Sequence, residues 1–340
     1  MKSNLINIVK NNILNNNVIE NNDKIVIAVS GGPDSIALLD IIYNLKSILK
    51  LEKNIDFDFV VAHVNHMIRE ESKYEKVYVE DICLNKSIPF FYLKKDVIKE
   101  STENRMGTEE YARKIRYDFF EEVRVKTGSN KIAVAHNLDD NVETILLNII
   151  RGCGIKGLCG MDYKFKNVIR PLIEITKKEI LDYCNINKLN PCFDKTNDQE
   201  IYMRNKIRLK LLPMLEKEYN NNFKNNLLRL SKIASQDEEC LNTISTNIVD
   251  SMIIVSDISS ITFNFENMLK QNISIKQRCV LNVINKLQNN VQGIENIHIN
   301  DIIKLLDNNL TKKKYIIGNK FTIEILKKNI AKIYINNLKG

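Results

Sequence analysis

Cysteine, histidine and long apolar runs are all scarce in this chain, and each scarcity closes off a class of protein. The seven cysteines (83, 153, 159, 184, 192, 240 and 279) form no close pairs in 340 residues, which is not the pattern of a secreted disulfide framework. With four histidines and no C-x-x-C, no zinc-ligand spacing is present. No run approaches the roughly 18–20 apolar residues of a membrane span. Residues 1–20 are rich in asparagine and lack the continuous apolar stretch of a signal peptide. The expectation is a cytoplasmic protein with no membrane partner. Internal repeats and low-complexity linkers are also lacking. Hydrophobic residues nonetheless make up 44% of the chain, enough for a real core, so wholesale disorder is excluded.

The length suggests about two domains. The net charge of +8 comes from 50 Lys+Arg and 42 Asp+Glu; 16 basic and 10 acidic residues follow residue 218, leaving 34 and 32 before it. A basic excess in one section suits a polyanionic partner. From charge alone, an ordinary lysine-rich surface is the simpler reading.

The first 150 residues alternate between two hydrophobic periods. After a short lead-in helix carrying Leu5, Ile8, Val9 and Ile13, the β-branched run Lys24-Ile-Val-Ile-Ala-Val29 reads as a buried strand. Residues 35–49 then follow a helical pattern. Strands are expected again at 57–63, 89–93 and 131–135, with helices at 71–85, 108–127 and 141–150. This alternation predicts a doubly wound α/β fold with a mostly parallel, Rossmann-like sheet. Thr176 and Glu179 form a capping box for a helix over 177–188. The chain then reads as mainly helical over 203–215 and 222–255. The Asn220-Asn221-Asn222 run is the expected domain boundary, giving a catalytic domain 1–218 and a mainly helical accessory domain 219–340. The accessory domain is expected to end in a hairpin around Gly318-Asn319.

Polar clusters follow the expected strands, where ligands of such sheets sit. The strongest is Ser30-Gly31-Gly32-Pro33-Asp34-Ser35, between a strand and a helix. Two glycines let the backbone approach an anion, and helix-start amides with two hydroxyls can hold phosphate. It is neither G-x-x-x-x-G-K-[ST], because the lysine is missing, nor G-x-G-x-x-G. His63 and His66 follow the second strand and read as pocket lining. Arg113 and Arg116 share a broad helix face with Glu109, a pattern that a solvated, salt-bridged helix would also give. His136, Asp139, Asp140 and Glu143 follow the fourth strand. Asp139 is the expected N-cap, and Asp140 and Glu143 share a face. Acids in a first turn are favoured by the helix dipole, so capping alone would account for them. Beside a phosphate loop they could also bind magnesium or attract an ammonium-bearing substrate.

The Ser-Gly-Gly-x-Asp-Ser string resembles the PP-loop of the N-type ATP pyrophosphatases. In order along the chain, the clusters resemble those of the tRNA(Ile)-lysidine synthetases. The strings are Ala28-Val-Ser-Gly-Gly-Pro-Asp-Ser35, Ala62-His-Val-Asn-His-Met-Ile-Arg69, Glu110-Tyr-Ala-Arg-Lys-Ile-Arg-Tyr117 and Ala135-His-Asn-Leu-Asp-Asp-Asn-Val-Glu-Thr144. They continue through Arg151-Gly-Cys-Gly, Ile169-Arg-Pro-Leu172, Asp194-Lys-Thr-Asn197 and Arg204-Asn205-Lys-Ile-Arg208. The resemblance is dense from about Lys24 to Leu215 and loose afterwards.

It implies an enzyme that adenylates the C2 carbonyl oxygen of the wobble cytidine in a CAU-anticodon tRNA(Ile). The ε-amine of free L-lysine then displaces AMP. ATP and Mg²⁺ are the implied cofactors, and a homodimer is allowed for. By resemblance, Ser30, Gly31, Gly32, Pro33, Asp34 and Ser35 bind ATP, with Asp34 also at magnesium. His63, Arg113 and His136 contact the nucleotide or the activated base. Asp140 and Glu143 recognise lysine or steer its attack. Arg116, Arg151, Asn197, Arg204, Asn205 and Arg208 face the tRNA or the α-phosphate. The basic accessory section would embrace the tRNA, and the chain would be the short form without a further C-terminal domain. A tRNA thiolase, a small-molecule amidating synthetase and a tRNA-binding protein without catalysis stay open as alternatives. The absence of C-x-x-C, the tRNA-type segments and the undamaged acidic and loop motifs weigh against them in turn.

Overall fold

In the computed structural model, residues 2–67, 72–192, 203–287, 294–317 and 320–336 are described. The chain divides into two units, Met1–Ser231 and Lys232–Gly340. The first unit opens with α1 (Lys2–Asn15), whose Leu5, Val9 and Ile13 are buried. It continues β1 (Lys24–Ala28), α2 (Pro33–Lys53), β2 (Asp58–Asn65), α3 (Ser72–Asn85), β3 (Phe90–Lys94), α4 (Val97–Glu103), α5 (Thr108–Thr127), β4 (Lys131–Ala133), α6 (Leu138–Arg151), α7 (Ile155–Leu158), β5 (Lys164–Phe165), β6 (Val168–Ile169) and α8 (Lys177–Ile186).

The sheet order is β3-β2-β1-β4-β6-β5. All pairings are parallel except β5 with β6. Period-two alternation explains why β1 is apolar throughout. Ile25 and Ile27 pack with α1, α2, α3 and α8, while Val26 packs with Phe119, Phe120 and Val123 of α5. The sheet is thus covered on both faces, as the alternating pattern predicts.

The polar stretch beyond α8 leads to a helical segment of mixed pitch. It comprises α9 (Met203–Lys206), a π-helical turn Ile207–Leu211, α10 (Leu212–Met214) and a second π-helical turn Leu215–Tyr219. Ile207 and Leu212 from this segment, with Leu227, bury Val142, Ile145 and Leu146 of α6. The long helix α11 (Phe223–Met252) contains the division between the units.

The second unit contains more strand than the sequence reading expects. Residues 253–255, expected to be helical, leave the helix and form β7 (Ile253–Ser256), which pairs with β8 (Ser260–Asn264). Three consecutive β-branched residues favour that switch, and Ile261 and Phe263 then alternate into the core. The chain adds α12 (Glu266–Leu269), α13 (Ile273–Leu287), α14 (Asn296–Asn308), β9 (Lys314–Ile317), β10 (Phe321–Lys327) and β11 (Ile330–Ile335). The terminal hairpin is therefore part of an antiparallel sheet, β7-β8-β11-β10-β9, sharing a core with α13 and α14. The turn residues Gly318 and Asn319 lie outside the described residues.

Candidate active site

The parallel sheet changes direction of build between β1 and β4, with β2 and β3 on one side and β6 and β5 on the other. Such a reversal leaves a crevice at the carboxyl ends of the strands. A cavity of about 870 Å³ lies there, with Asp34, His66, Arg116, His136, Glu143 and Lys177 among its walls.

The loop leaving β1 is closed on itself. Ser35 Oγ donates to the Gly32 carbonyl at 2.9 Å and accepts from the Ser30 amide at 3.1 Å. Its single hydroxyl hydrogen is thereby used, so Ser30 Oγ donates to Ser35 Oγ at 3.1 Å. Gly31 has φ +94°, and a Cβ there would lie 3.1 Å from Glu75 Cβ on α3, so any other residue is strained at this position. Pro33 opens α2, and the N-cap Gly32 supplies no side-chain bond, leaving the first amides of α2 uncapped. An uncapped helix start suits an anion.

Charged side chains from three helix starts surround the loop. Lys177 Nζ donates to both oxygens of Asp34, at 2.8 and 2.7 Å. The Lys177 amide donates to Asp139 Oδ2 at 2.7 Å, and Asp139 Oδ1 pairs with Lys224 at 3.0 Å. This geometry corrects the expected cap. Asn137, not Asp139, caps α6: its side chain accepts from the Asp140 amide at 2.9 Å, and Asp140 returns the bond to the Asn137 amide. An asparagine in extended backbone takes the capping position, which leaves Asp139 to tie α8 and Lys224 to α6.

Asp140 and Glu143 are indeed neighbours, but each carboxylate already faces cations. Glu143, 1% exposed, accepts from Arg204 Nε at 2.7 Å and from Arg208 Nε at 2.5 Å and Nη2 at 3.0 Å. Asp140 Oδ1 accepts from both arginines, at 3.1 and 3.3 Å. Burial raises the Asp140 pKa, and Arg204 pulls it back. Arg204 and Arg208 therefore sit against the acids, and the quartet is formally neutral.

The histidines divide. His136 lines the cavity and accepts on Nδ1 from Arg170 Nε at 3.3 Å, which puts the ring proton of the neutral form on Nε2. Burial, with Arg170 and three further arginines, pushes its pKa down to about 3. His66 is also on the wall, with its pKa lowered to about 4 by burial and by Arg116. His63 is elsewhere. Strand parity turns it to the face that carries Val61, where it is fully buried, and its Nδ1 donates to the Val29 carbonyl at 2.8 Å. Its ring stacks on Tyr92, its register partner on β3. Direct contact with a nucleotide is thus corrected to support of the chain entering the loop.

Of the expected arginines, Arg116 and Arg208 line the cavity. Arg113 is exposed, its guanidinium 5.0 Å from the Tyr117 ring, and Arg151 is exposed at the end of α6. Asn205 lies on α9 beside Arg204, off the cavity wall. Asn197 lies outside the described residues. Lys177, Arg170 and Lys224 were not expected. Lys177 stands 143 residues from its partner Asp34, and the only sequence hint was the capping box that begins its helix.

The comparisons agree with this geometry. Residues 2–215 match the model of a family described as PP-loop domain. The chain belongs to the PP-loop domain family. It is 36% identical over 307 residues to a tRNA(Ile)-lysidine synthase of Caldanaerobacter subterraneus subsp. tengcongensis, covering 90% of this chain and 64% of the relative. It is also 36% identical over 293 residues to the protein of that name in Clostridioides difficile, covering 86% of this chain and 62% of the relative. A Petrotoga mobilis protein of the same name is 40% identical over 211 residues, covering 62% of this chain and 66% of the relative. The chain thus spans just under two thirds of the length of these relatives. The PP-loop fold is shared with a U34-tRNA thiolase, NcsA, from Methanococcus maripaludis, with a TM-score of 0.54 and 20% identity over 68% of this chain and 78% of the other. Among the described residues of this PP-loop protein, no helix is long and apolar enough to cross a membrane. Among the same described residues, no three His, Cys, Asp or Glu side chains are grouped to hold a metal. Magnesium is usually held by one or two carboxylates together with phosphate, so the PP-loop carboxylate Asp34 fits an ion shared with a nucleotide.

Proposed function

We propose that this chain carries the machinery of an ATP-dependent ligase that joins lysine to C2 of the wobble cytidine in a CAU-anticodon tRNA(Ile), releasing AMP and pyrophosphate. The names of the relatives support the substrate. The observation that carries the chemistry is Arg116. Its guanidinium stands on the cavity wall beside the PP-loop, is held below its ordinary pKa by burial, and has no ion pair among the described residues. A partly buried cation without a carboxylate suits a phosphate.

In this reading Ser30, Gly31, Gly32, Pro33 and Ser35 cradle the phosphates. Asp34 would hold a Mg²⁺ ion, which would supply positive charge at the phosphates. His136, kept neutral, offers its Nε2–H as a donor. The ammonium of the incoming lysine competes for Asp140 and Glu143, and an arginine it displaces is free for the α-phosphate. The C2 carbonyl oxygen attacks the α-phosphorus and pyrophosphate leaves; the ε-ammonium gives up a proton, the free amine forms the bond to C2 and loses a second proton, and the C2–O bond breaks as AMP leaves with that oxygen. The catalytic part is residues 1–218, and the basic remainder, 219–340, holds tRNA in the cytoplasm.

The test is incubation with ATP, radiolabelled lysine and a tRNA(Ile) transcript bearing CAU, with a GAU transcript as control. Label should enter only the CAU transcript, with AMP formed in step. Folded protein that binds ATP yet leaves the CAU transcript unlabelled would overturn the reading.

A further inference from the structure

The PP-loop supplies hydroxyls and amides but no cation, whereas a departing pyrophosphate carries several negative charges. Any protein cation that grips it therefore comes from elsewhere in the fold. Four cationic side chains line the cavity: Arg116, Lys177, Arg208 and Lys224. Arg208 is shared between Asp140 and Glu143, and Lys224 between Asp139 and Glu216. Arg116 has no ion pair among the described residues and is already given to a phosphate in the proposed reading. Lys177 differs from all three. Its only ion-pair partner among the described residues is Asp34, which belongs to the loop, so the ammonium already lies at the phosphate-binding turn. Both members of the pair are partly open, with side chains 39% and 29% exposed, so the pair is weakly held and exchangeable.

The backbone of Lys177, by contrast, is fixed. Its amide is bound to Asp139, and the residue before it, Thr176, is locked by the Glu179 capping box. An anchored backbone with a mobile four-carbon stem can move a point charge over a few ångströms without moving the helix.

Resting on the proposed use of ATP, we infer that Lys177 is the phosphate-gripping cation of this loop, passing from Asp34 to the β- and γ-phosphate oxygens of the bound nucleotide and remaining with pyrophosphate as it leaves. The role is that of the missing lysine of the other phosphate loop, delivered here from α8.

The experiment is equilibrium binding of ATP, pyrophosphate and AMP to the full chain and to its Lys177→Met and Lys177→Arg variants. One charge-assisted phosphate contact corresponds to about 10–100-fold in affinity. Lys177→Met should weaken ATP and pyrophosphate by about that factor and leave AMP unchanged, while Lys177→Arg restores most of the loss. Unchanged ATP and pyrophosphate affinity in Lys177→Met would overturn the inference, as would an equal loss for AMP, which marks a merely structural role. Wild-type protein that binds neither ATP nor pyrophosphate would instead overturn the ATP reading. A second measurement needs no variant. Acylation of Lys177 in the wild-type chain, followed by mass spectrometry, should be slowed by pyrophosphate and not by AMP; equal labelling with and without pyrophosphate refutes the assignment.

Discussion

Replacing Glu143 by glutamine tests whether the acid–arginine quartet holds the cavity wall together. The side chain is 1% exposed and accepts three bonds from two guanidiniums. Glutamine keeps the shape but loses the charge and turns an N–H₂ toward a donor. Charged hydrogen bonds contribute about 1.5–3 kcal/mol each. The arginine side chains are 32% and 39% exposed, so water takes back part of that. A net cost of about 2–3 kcal/mol follows. For a unit of this size about 1 kcal/mol moves Tm by roughly 2–4 °C, so the first unit should melt about 4–12 °C lower. Urea denaturation, which leaves ion pairs unscreened, gives the free energy directly. The double variant Glu143→Gln with Arg208→Met should cost less than the sum of its parts, by about 1 kcal/mol or more. A cost below about 0.5 kcal/mol, with strict additivity, would refute the quartet as a structural unit.

Two further predictions are independent of it. Gly31→Ala forces a side chain into φ +94° against Glu75 and should destabilise the first unit by about 1–3 kcal/mol, read as a lowered urea midpoint; an unchanged midpoint would contradict the loop geometry. His136 is held neutral in the fold, with a pKa of about 3 against 6.5 when unfolded. The unfolded chain therefore binds its proton first, and stability is lost as pH falls from about 6.5 toward 3. The stability difference between the parent and His136→Gln should shrink across that window and be flat above about pH 7.5; a difference that grows on acidification would reverse the sign.

The site residues differed in how readily they could be read from the chain. The loop 30–35 could be read because its chemistry is local: consecutive glycines and hydroxyls between a strand and a helix. Asp140 and Glu143 were equally local, and their spacing placed them together. What they face was not readable. Arg204 and Arg208 come from 61 to 68 residues away, and only the packing of Ile207 and Leu212 on α6 brings them in. The Asp139 cap was misread because three candidates, Asn137, Asp139 and Asp140, stand within four positions, and tertiary contact with Lys177 decided between them. His63 was misplaced although the period of two was known. Which parity faces the cavity depends on which side of the sheet α5 covers.

By itself, then, the sequence determined the α/β alternation, the phosphate loop and the order of the polar clusters, because hydrophobic period and glycine conformation act over a few residues. Tertiary structure alone decided that Lys177 meets Asp34, that arginines neutralise the acids, and that the terminal hairpin joins a five-stranded sheet. Those outcomes depend on which distant elements bury one another. Burial is a property of the packed chain and is not written at any single position.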